Sequence, residues 1–185
     1  ELCPRGVKAI MGELRGAESL RGISMHRCEL ADEGAHYVSQ ALHPAYWNTS
    51  KRDDLVVERR RSLMHPHLNA HAQGAGTPNF FLGTALTSLN LSDNMIGPTG
   101  AAWLLDSLAS FGTNLKLLDL SLNQITDAGQ DMRGARALCE ALKTCTNLET
   151  LNLNDCKLHV EGAYLLVEGL MNKTKQLQHG IKELW

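Results

Sequence analysis

A single spacing of leucines recurs along this chain of 185 residues. Written with x for any residue, it is Leu-x-x-Leu-x-Leu-x-x-(Asn or Cys)-x-Leu, and its copies begin at Leu20, Leu86, Leu115 and Leu148. The first copy is degenerate, with Ile and Met at two of the leucine positions. The alternation within each copy predicts a short β-strand. Because self-similar copies fold alike and stack, this spacing constrains the architecture of the whole chain.

Each copy is followed by a helical pattern that starts at a glycine. The glycines are Gly34, Gly100, Gly134 and Gly162, and an alanine follows each of them. Apolar residues recur four and eight positions after each glycine, which places them on one face of an α-helix. We expect the small alanine to let this face approach the strands closely. Each unit is therefore predicted to be a strand followed by a helix, stabilised by stacking on its neighbours.

These copies resemble the ribonuclease-inhibitor-like class of leucine-rich repeats. The resemblance is carried by Leu86 to Leu108, Leu115 to Leu142 and Leu148 to Leu170, with their Asn/Cys column and a full helix in each unit. It implies an α/β leucine-rich-repeat solenoid shaped as a horseshoe, with a parallel β-sheet on the concave face and α-helices on the convex face. It implies little about function, because the relatives include enzyme inhibitors, GTPase activators, immune receptors and flagellar scaffolds.

We interpret residues 1–185 as one array of four to five units. The first residues match the end of a unit and residues 181–185 match the start of a strand, so both ends are predicted to be cut within a repeat. Residues 43–83 lack the pattern and are predicted to form an insertion loop; an arm that becomes ordered on a partner is the alternative. Five extra residues in the third unit are placed at 130–134.

Composition excludes some classes of function. With 18 basic and 20 acidic residues, the chain has no general attraction for nucleic acid. No apolar run approaches the ~20 residues that span a bilayer. Five cysteines, an odd number without compact spacing, argue against a disulfide framework. Because free buried thiols are typical of a reducing compartment, we expect a cytoplasmic protein, with a cytoskeletal or ciliary setting as one option.

The sequence also lacks the motifs of familiar enzymes. It has no nucleophile elbow, P-loop, zinc-protease motif or glycine-rich dinucleotide turn. We therefore expect no enzyme activity, no cofactor and no small-molecule substrate. His65, His67 and His71 have a spacing that metal ligands can share. A loop rarely fixes the geometry that a metal needs, so no metal site is expected there.

The candidate binding surface consists of the residues between the leucines of each strand, which face the concave side of such an array. It runs from a basic first unit to an acidic fourth, which suits a charged protein lying across the units; ordinary solubilising surface is the alternative. Trp185 is the predicted hot spot, with packing on the last helix as the alternative. Leu117 and Leu122 depart from the pattern and predict an exposed apolar contact. The predicted contact residues are Arg21, Ser24, His26, Asn90, Ser92, Lys116, Asp119, Ser121, Glu149, Asn152, Asn154 and Trp185.

The expected function is that of a non-catalytic protein–protein interaction or scaffold module within a larger intracellular assembly, for example an axonemal or ribosome-associated one. Its partners are expected to be proteins, and neither a membrane nor a nucleic acid is expected among them. Two alternatives stay open. One is a regulator of an enzyme, such as a GTPase-activating protein for a Ran-like GTPase, and the other is the sensing array of an immune-type receptor.

Overall fold

The structure, a computed structural model, describes residues 3–14, 17, 19–42, 82–111, 114–176 and 181–185. Within these residues, five short strands form one parallel sheet in chain order. Most of the predicted insertion at 43–83, including its three spaced histidines, lies outside the described residues. The strands are β1 (Gly22–Ser24), β2 (Ser88–Asn90), β3 (Leu117–Asp119), β4 (Thr150–Asn152) and β5 (Glu183–Leu184).

Helices connect the strands, because parallel neighbours need a long crossover. Proline begins α1 and α4, a position that suits its fixed φ and needs no N–H. Asp32 and Glu33 lie in the first turn of α2, where the helix dipole favours acids. The predicted α/β arrangement of a parallel sheet with helices is confirmed. The helices are α1 (Pro4–Leu14), α2 (Ala31–Leu42), the single turn α3 (Leu82–Ala85), α4 (Pro98–Phe111), α5 (Arg133–Thr144) and α6 (His159–Gln176).

The central residue of each strand points into the core. In β1 to β4 this residue is Ile23, Leu89, Leu118 or Leu151, each exposed by 9% or less, whereas Leu184 of β5 is 47% exposed. The five residues are in register across the sheet. Strand β1 pairs directly with β2 although the predicted insertion separates them in the chain. The repeat spacing thus fixes one row that is in register across the sheet and buried in β1 to β4.

The Asn/Cys column joins the loops that follow the strands. The side chain of Asn123 accepts hydrogen bonds from two backbone N–H groups of the preceding loop, at 3.2 and 2.9 Å, and donates to carbonyls of both loops. Asn94 makes the same bridge to the first unit. Cys28 and Cys156 occupy the outer positions of the column, and the Cys156 thiol donates to the Leu120 carbonyl at 3.1 Å. These bonds provide partners for buried backbone N–H and C=O groups that lie outside the strands and helices.

The helices pack side by side through two sets of columns. The forward columns lie one and five positions after each glycine and face the next helix. A Cβ on Gly100 would lie 3.1 Å from the Cβ of Ala35, and a Cβ on Gly134 would lie at the same distance from that of Ala101. The alanines therefore allow the next helix to approach closely. The sequence had suggested that they allow close approach to the strands instead. The forward pairs that are buried are Val7 and Met11, Ala35 and Ser39, Ala101 and Leu105, and Ala135 and Cys139.

The rear columns, at each glycine and seven positions after it, face the preceding helix and hold small residues. A Cβ on Gly100 would lie 2.7 Å from the Cα of Asp32 in α2, and one on Gly169 would lie 3.1 Å from the Cα of Cys139 in α5. Close approach of the helices therefore depends on glycine or another small residue at these positions. The buried rear pairs are Gly34 and Ala41, Gly100 and Ser107, Gly134 and Ala141, and Gly162 and Gly169.

The third unit differs at the start of its helix. A 3₁₀ turn at Asp127–Gly129 follows the strand loop, and α5 begins only at Arg133. In the first unit, α2 follows Leu30 directly. The extra residues therefore lie before Arg133 rather than at 130–134, and Gly134 keeps the ordinary place of its column.

Candidate binding surface on the sheet

Two rows of side chains lie on either side of the buried row and form the outer side of the sheet. We call these rows, with the residues that immediately flank each strand, the sheet face. Trp185 continues the second row, because its carbonyl accepts a hydrogen bond from the N–H of Leu153 at 2.8 Å. The first row is Gly22, Ser88, Leu117, Thr150 and Glu183, and the second is Ser24, Asn90, Asp119, Asn152 and Trp185.

The structure brings most of the predicted contact residues onto this face. Arg21, Lys116 and Glu149 directly precede their strands. Ser24, His26, Arg21, Lys116 and Asn154 are exposed, and Trp185 is 66% exposed. Those that are half-buried are Asn90, Asp119, Glu149 and Asn152. Sequence reasoning missed Ser88, Thr150 and Glu183, which the register places in the first row; strict alternation from the strand centre was the signal that would have found them.

Two predicted contact residues need correction. Ser92 and Ser121 are only 5% and 7% exposed. Their hydroxyls turn back and donate to the side chains of Asn90 and Asp119, both at 2.7 Å, and their N–H groups donate to the same oxygens at 3.0 Å. Such local bonds from Asn or Asp hold a turn at the end of a strand. The two serines therefore position the second row and offer a partner little surface.

The second row is held in place before any partner arrives. Asp119 also accepts a hydrogen bond from the amide of Asn152 at 3.1 Å, and Asn152 in turn accepts one from the N–H of Asn154 at 3.1 Å. In the first unit, Nδ1 of His26 lies 2.8 Å from the Ser92 hydroxyl oxygen. Because that hydroxyl donates elsewhere, the imidazole nitrogen is the donor in this contact. The row thus forms a connected polar surface.

Some of the charges on the sheet face and in the loops beside it are paired. The pairs join Arg27 to Asp93 at 3.6 Å and Lys182 to Glu149 at 2.8 Å. Lys157 likewise pairs with an aspartate of its own loop. Exposed pairs of this kind contribute little to stability. They do break up the predicted gradient from basic to acidic units, so the face is mixed in sign.

Apolar side chains are exposed where the strands end. Leu122 is 49% exposed and Met95 is 59% exposed, and both have left-handed backbone angles, with φ of 57° and 53°. Leu117, the other leucine predicted to be exposed, is half-buried. Left-handed φ is unfavourable for such residues, and exposure gives them no compensating packing. Sequence reasoning missed Met95; the signal was an apolar residue where the other loops have Gln124 and Lys157.

The cysteines are free, and most of them are inaccessible. Burial raises the pKa of the Cys156 thiol to about 12, and burial also raises the pKa of Cys139. Thiols that stay protonated are weak nucleophiles and weak metal ligands. In the described part of the chain, no group of three His, Cys, Asp or Glu side chains is placed to hold a metal ion. No helix among the described residues has the length and apolarity needed to cross a bilayer.

Known proteins share these repeats. A family model described as leucine-rich repeat matches residues 84–104, 113–129 and 144–167. The chain is 30% identical over 161 residues to human (Homo sapiens) NACHT, LRR and PYD domains-containing protein 13, a match that covers 83% of this chain and 13% of that protein. It is 37% identical over 94 residues to the ribonuclease inhibitor of Sus scrofa, covering 51% of this chain and 20% of the inhibitor. The matches therefore span less than a quarter of either relative.

Leucine-rich repeats mediate protein–protein interaction and generally serve as non-catalytic domains. The repeated strand-and-helix unit, the Asn/Cys column and the similarity to a ribonuclease inhibitor point to the same group. The repeats of this chain are leucine-rich repeats of the ribonuclease-inhibitor-like type.

Proposed function

We propose that this chain is a non-catalytic protein-binding module within a larger intracellular assembly, and that the sheet face is the concave face of a horseshoe on which a protein partner lies. The carrying observation is geometric. Five adjacent strands, whose backbone groups already pair with one another, present their side chains on one side. A surface of this kind loses little conformational freedom when a partner binds, which favours affinity.

The chemistry of the sheet face supports a protein rather than a small ligand. Trp185 and Leu122 are large exposed apolar groups, and polar or charged side chains separate them. Interfaces between proteins combine a few apolar anchors with a polar rim. The mixed sign of the charges favours a partner with both acidic and basic groups over a uniformly charged polymer.

A second candidate function is the regulation of an enzyme by direct binding. It is favoured by one specific observation, the 37% identity to a porcine protein named ribonuclease inhibitor. The human relative carries NACHT and PYD domains in its name beside the repeats, which supports a module in a multidomain protein and keeps the sensing array of an immune-type receptor as an alternative. In all of these functions the sheet face is the contact surface.

The test is a comparison of two sets of variants. The first set changes the sheet face, with Lys116→Glu, Asn154→Arg and Trp185→Ala combined. These residues are exposed. Asp119 is left intact because its carboxylate holds the backbone turn. The matched control is Arg136→Glu on the exposed side of α5, which makes the same change of charge as Lys116→Glu.

The partner is first captured from cell extract with the unchanged chain and purified, and its Kd is then measured for each variant. We expect the sheet-face variant to bind about tenfold more weakly or worse, since it removes an aromatic anchor, while Arg136→Glu binds normally. Normal binding by the sheet-face variant would reject the proposed surface. Inhibition of the captured partner's own catalytic activity would favour the enzyme regulator over the scaffold.

A further inference from the structure

Two apolar residues occupy unfavourable backbone positions where the strands of the second and third units end. Met95 and Leu122 both have left-handed φ. Asn and Asp are tolerated in that region because their short side chains bond locally, whereas other residues are disfavoured there. Burial would compensate, yet both side chains are exposed. An uncompensated outlier of this kind supports a hypothesis of function, here contact with another molecule.

The loops that carry the two residues are fixed side by side. The amide oxygen of Asn123 accepts hydrogen bonds from two N–H groups, at 3.2 and 2.9 Å. These belong to Asn94 and Ile96, which flank Met95 in the chain. Leu122 directly precedes Asn123, and its own N–H donates to a carbonyl of the fourth unit at 2.8 Å. Met95 and Leu122 therefore lie on adjacent, hydrogen-bonded loops, and we call this pair the loop patch.

Acidic groups border the loop patch. The repeat columns and the bonds between successive loops place Glu29 beside Met95, and they place Asp93 and Asp155 on either side of Leu122. Each aspartate forms an ion pair with a base. The exposed Glu29 has no ion pair among the described residues. The border therefore has more acidic than basic groups, and one carboxylate is available to a partner.

We propose that the loop patch binds a protein segment that presents an apolar side chain next to a lysine or arginine. This inference rests on the proposed function, because it names the chemistry of a partner that lies on the sheet face. The apolar side chain covers Met95 and Leu122, and the cation pairs with Glu29. Removal of apolar surface from water drives the contact, and opposite charge fixes its orientation. A nucleic acid is disfavoured, because its phosphates would face the carboxylates.

The test uses substitutions that separate binding from stability. Because Asn suits left-handed φ, we expect Met95→Asn combined with Leu122→Asn to leave the Tm unchanged or to raise it. The probe is a phage-displayed library of random peptides. Peptides that bind this double variant are first removed, and the rest are selected on the unchanged chain. We expect the enriched peptides to share an apolar residue next to Lys or Arg, and to bind the double variant about tenfold more weakly or worse.

Two single variants test the parts of the contact. Glu29→Gln removes the carboxylate, and we expect it to weaken the same peptides about two- to fivefold at low salt and less as salt is added. Ala128→Asn is the matched control, because it introduces Asn at another exposed residue with left-handed φ, outside the loop patch. We expect this control to bind the peptides with unchanged affinity.

Three results with the peptides would overturn the proposal. The first is that no peptide is enriched after the removal step. The second is that the enriched peptides lack a base beside their apolar residue. The third is that Ala128→Asn weakens them as much as the double variant does.

The partner captured in the preceding test separates this inference from the proposed function. If the combined sheet-face variant binds that partner weakly and the Met95→Asn, Leu122→Asn variant binds it normally, the inference about the loop patch fails and the proposed function stands. If both variants bind it normally, both are rejected.

Discussion

The two outer helices of the described array, α1 and α6, differ in the polarity of the faces that no described helix covers. On α1, the rear column that no described helix covers contains Glu13, and Arg5 on the same helix is also exposed. On α6, the uncovered forward columns and the residues beside them are apolar, Val167 and Tyr164 among them. Solenoid arrays are stable in water when their terminal faces are polar. The exposed side of α1 thus includes charged residues as well as Ile10, whereas the exposed side of α6 is mainly apolar.

This difference shows that the forward and rear sides of each helix have different requirements. Each helix needs an apolar forward side, whatever its place, because the next helix packs there. Its rear side needs only small residues where a preceding helix lies close. Thus Val7 and Met11 of α1 are buried against α2, whereas Glu13 on the other side of the same helix is hydrated.

The largest expected effect contrasts a covered forward column with the uncovered one. Leu105→Ala removes a fully buried side chain between α4 and α5, and we expect the free energy of unfolding to fall by about 2–5 kcal/mol. The equivalent change on α6, Val167→Ala, should alter it by about 0.5 kcal/mol or less, because that side chain is exposed. Urea unfolding followed by circular dichroism measures both. Equal losses would show that α6 is covered in the protein as it exists.

The next effect concerns the glycines. Gly134→Ala places a Cβ against the carbonyl oxygen of Ile125 in the loop before α5, so α5 must shift away from that loop, and we expect a loss of about 1–3 kcal/mol. Gly12→Ala on α1 meets nothing within 4 Å and should stabilise by about 0.5–1 kcal/mol, since alanine favours a helix. Thermal melts of the two variants should shift in opposite directions. A destabilising Gly12→Ala would mean that α1 has a close neighbour on its outer side.

Much of the fold follows from the sequence, because the repeated columns state directly which residues share an environment. The spacing predicted the strand centres at Leu89, Leu118 and Leu151 and the glycine column of the helices. The spacing did not show which neighbouring element each small residue contacts. Ala35 precedes an apolar helix face, so contact with the strands was a natural reading, yet the contact is with the next helix.

The candidate site was predicted less completely, for a physical reason. Alternation identifies residues that point outward, but it does not show which of them bond to the backbone. Ser92 and Ser121 point outward by pattern and are nevertheless buried by the turns that they stabilise. Left-handed residues such as Met95 depend on the loop conformation that the Asn column imposes, so their exposure became visible only in the structure.

The Asn/Cys column also differs between interior and outer units, because the interior units have Asn and the outer units have Cys. Asn123→Cys leaves two buried N–H groups without the amide oxygen that accepts them, and we expect a loss of about 1–3 kcal/mol. Cys156→Ala, in an outer unit, removes one weak thiol donor and should cost less. Urea unfolding of both variants provides the comparison. If the two losses are equal, the amide has no special role within the array.

The last test, which needs alkaline pH, concerns how tightly the outer unit packs around Cys156. In the unfolded chain this thiol ionises near its ordinary pKa of 9.0, whereas burial raises the folded pKa to about 12. Between these values the unfolded state binds fewer protons, so this group's contribution to stability is complete below pH 9 and is lost as the pH rises toward 12. We expect the free energy of unfolding of the unchanged chain to fall more steeply over this range than that of Cys156→Ala, measured by urea titration at each pH. Parallel curves would mean that the thiol is already solvated in the folded chain, and that the loose packing seen at Leu184 reaches into the unit beneath it.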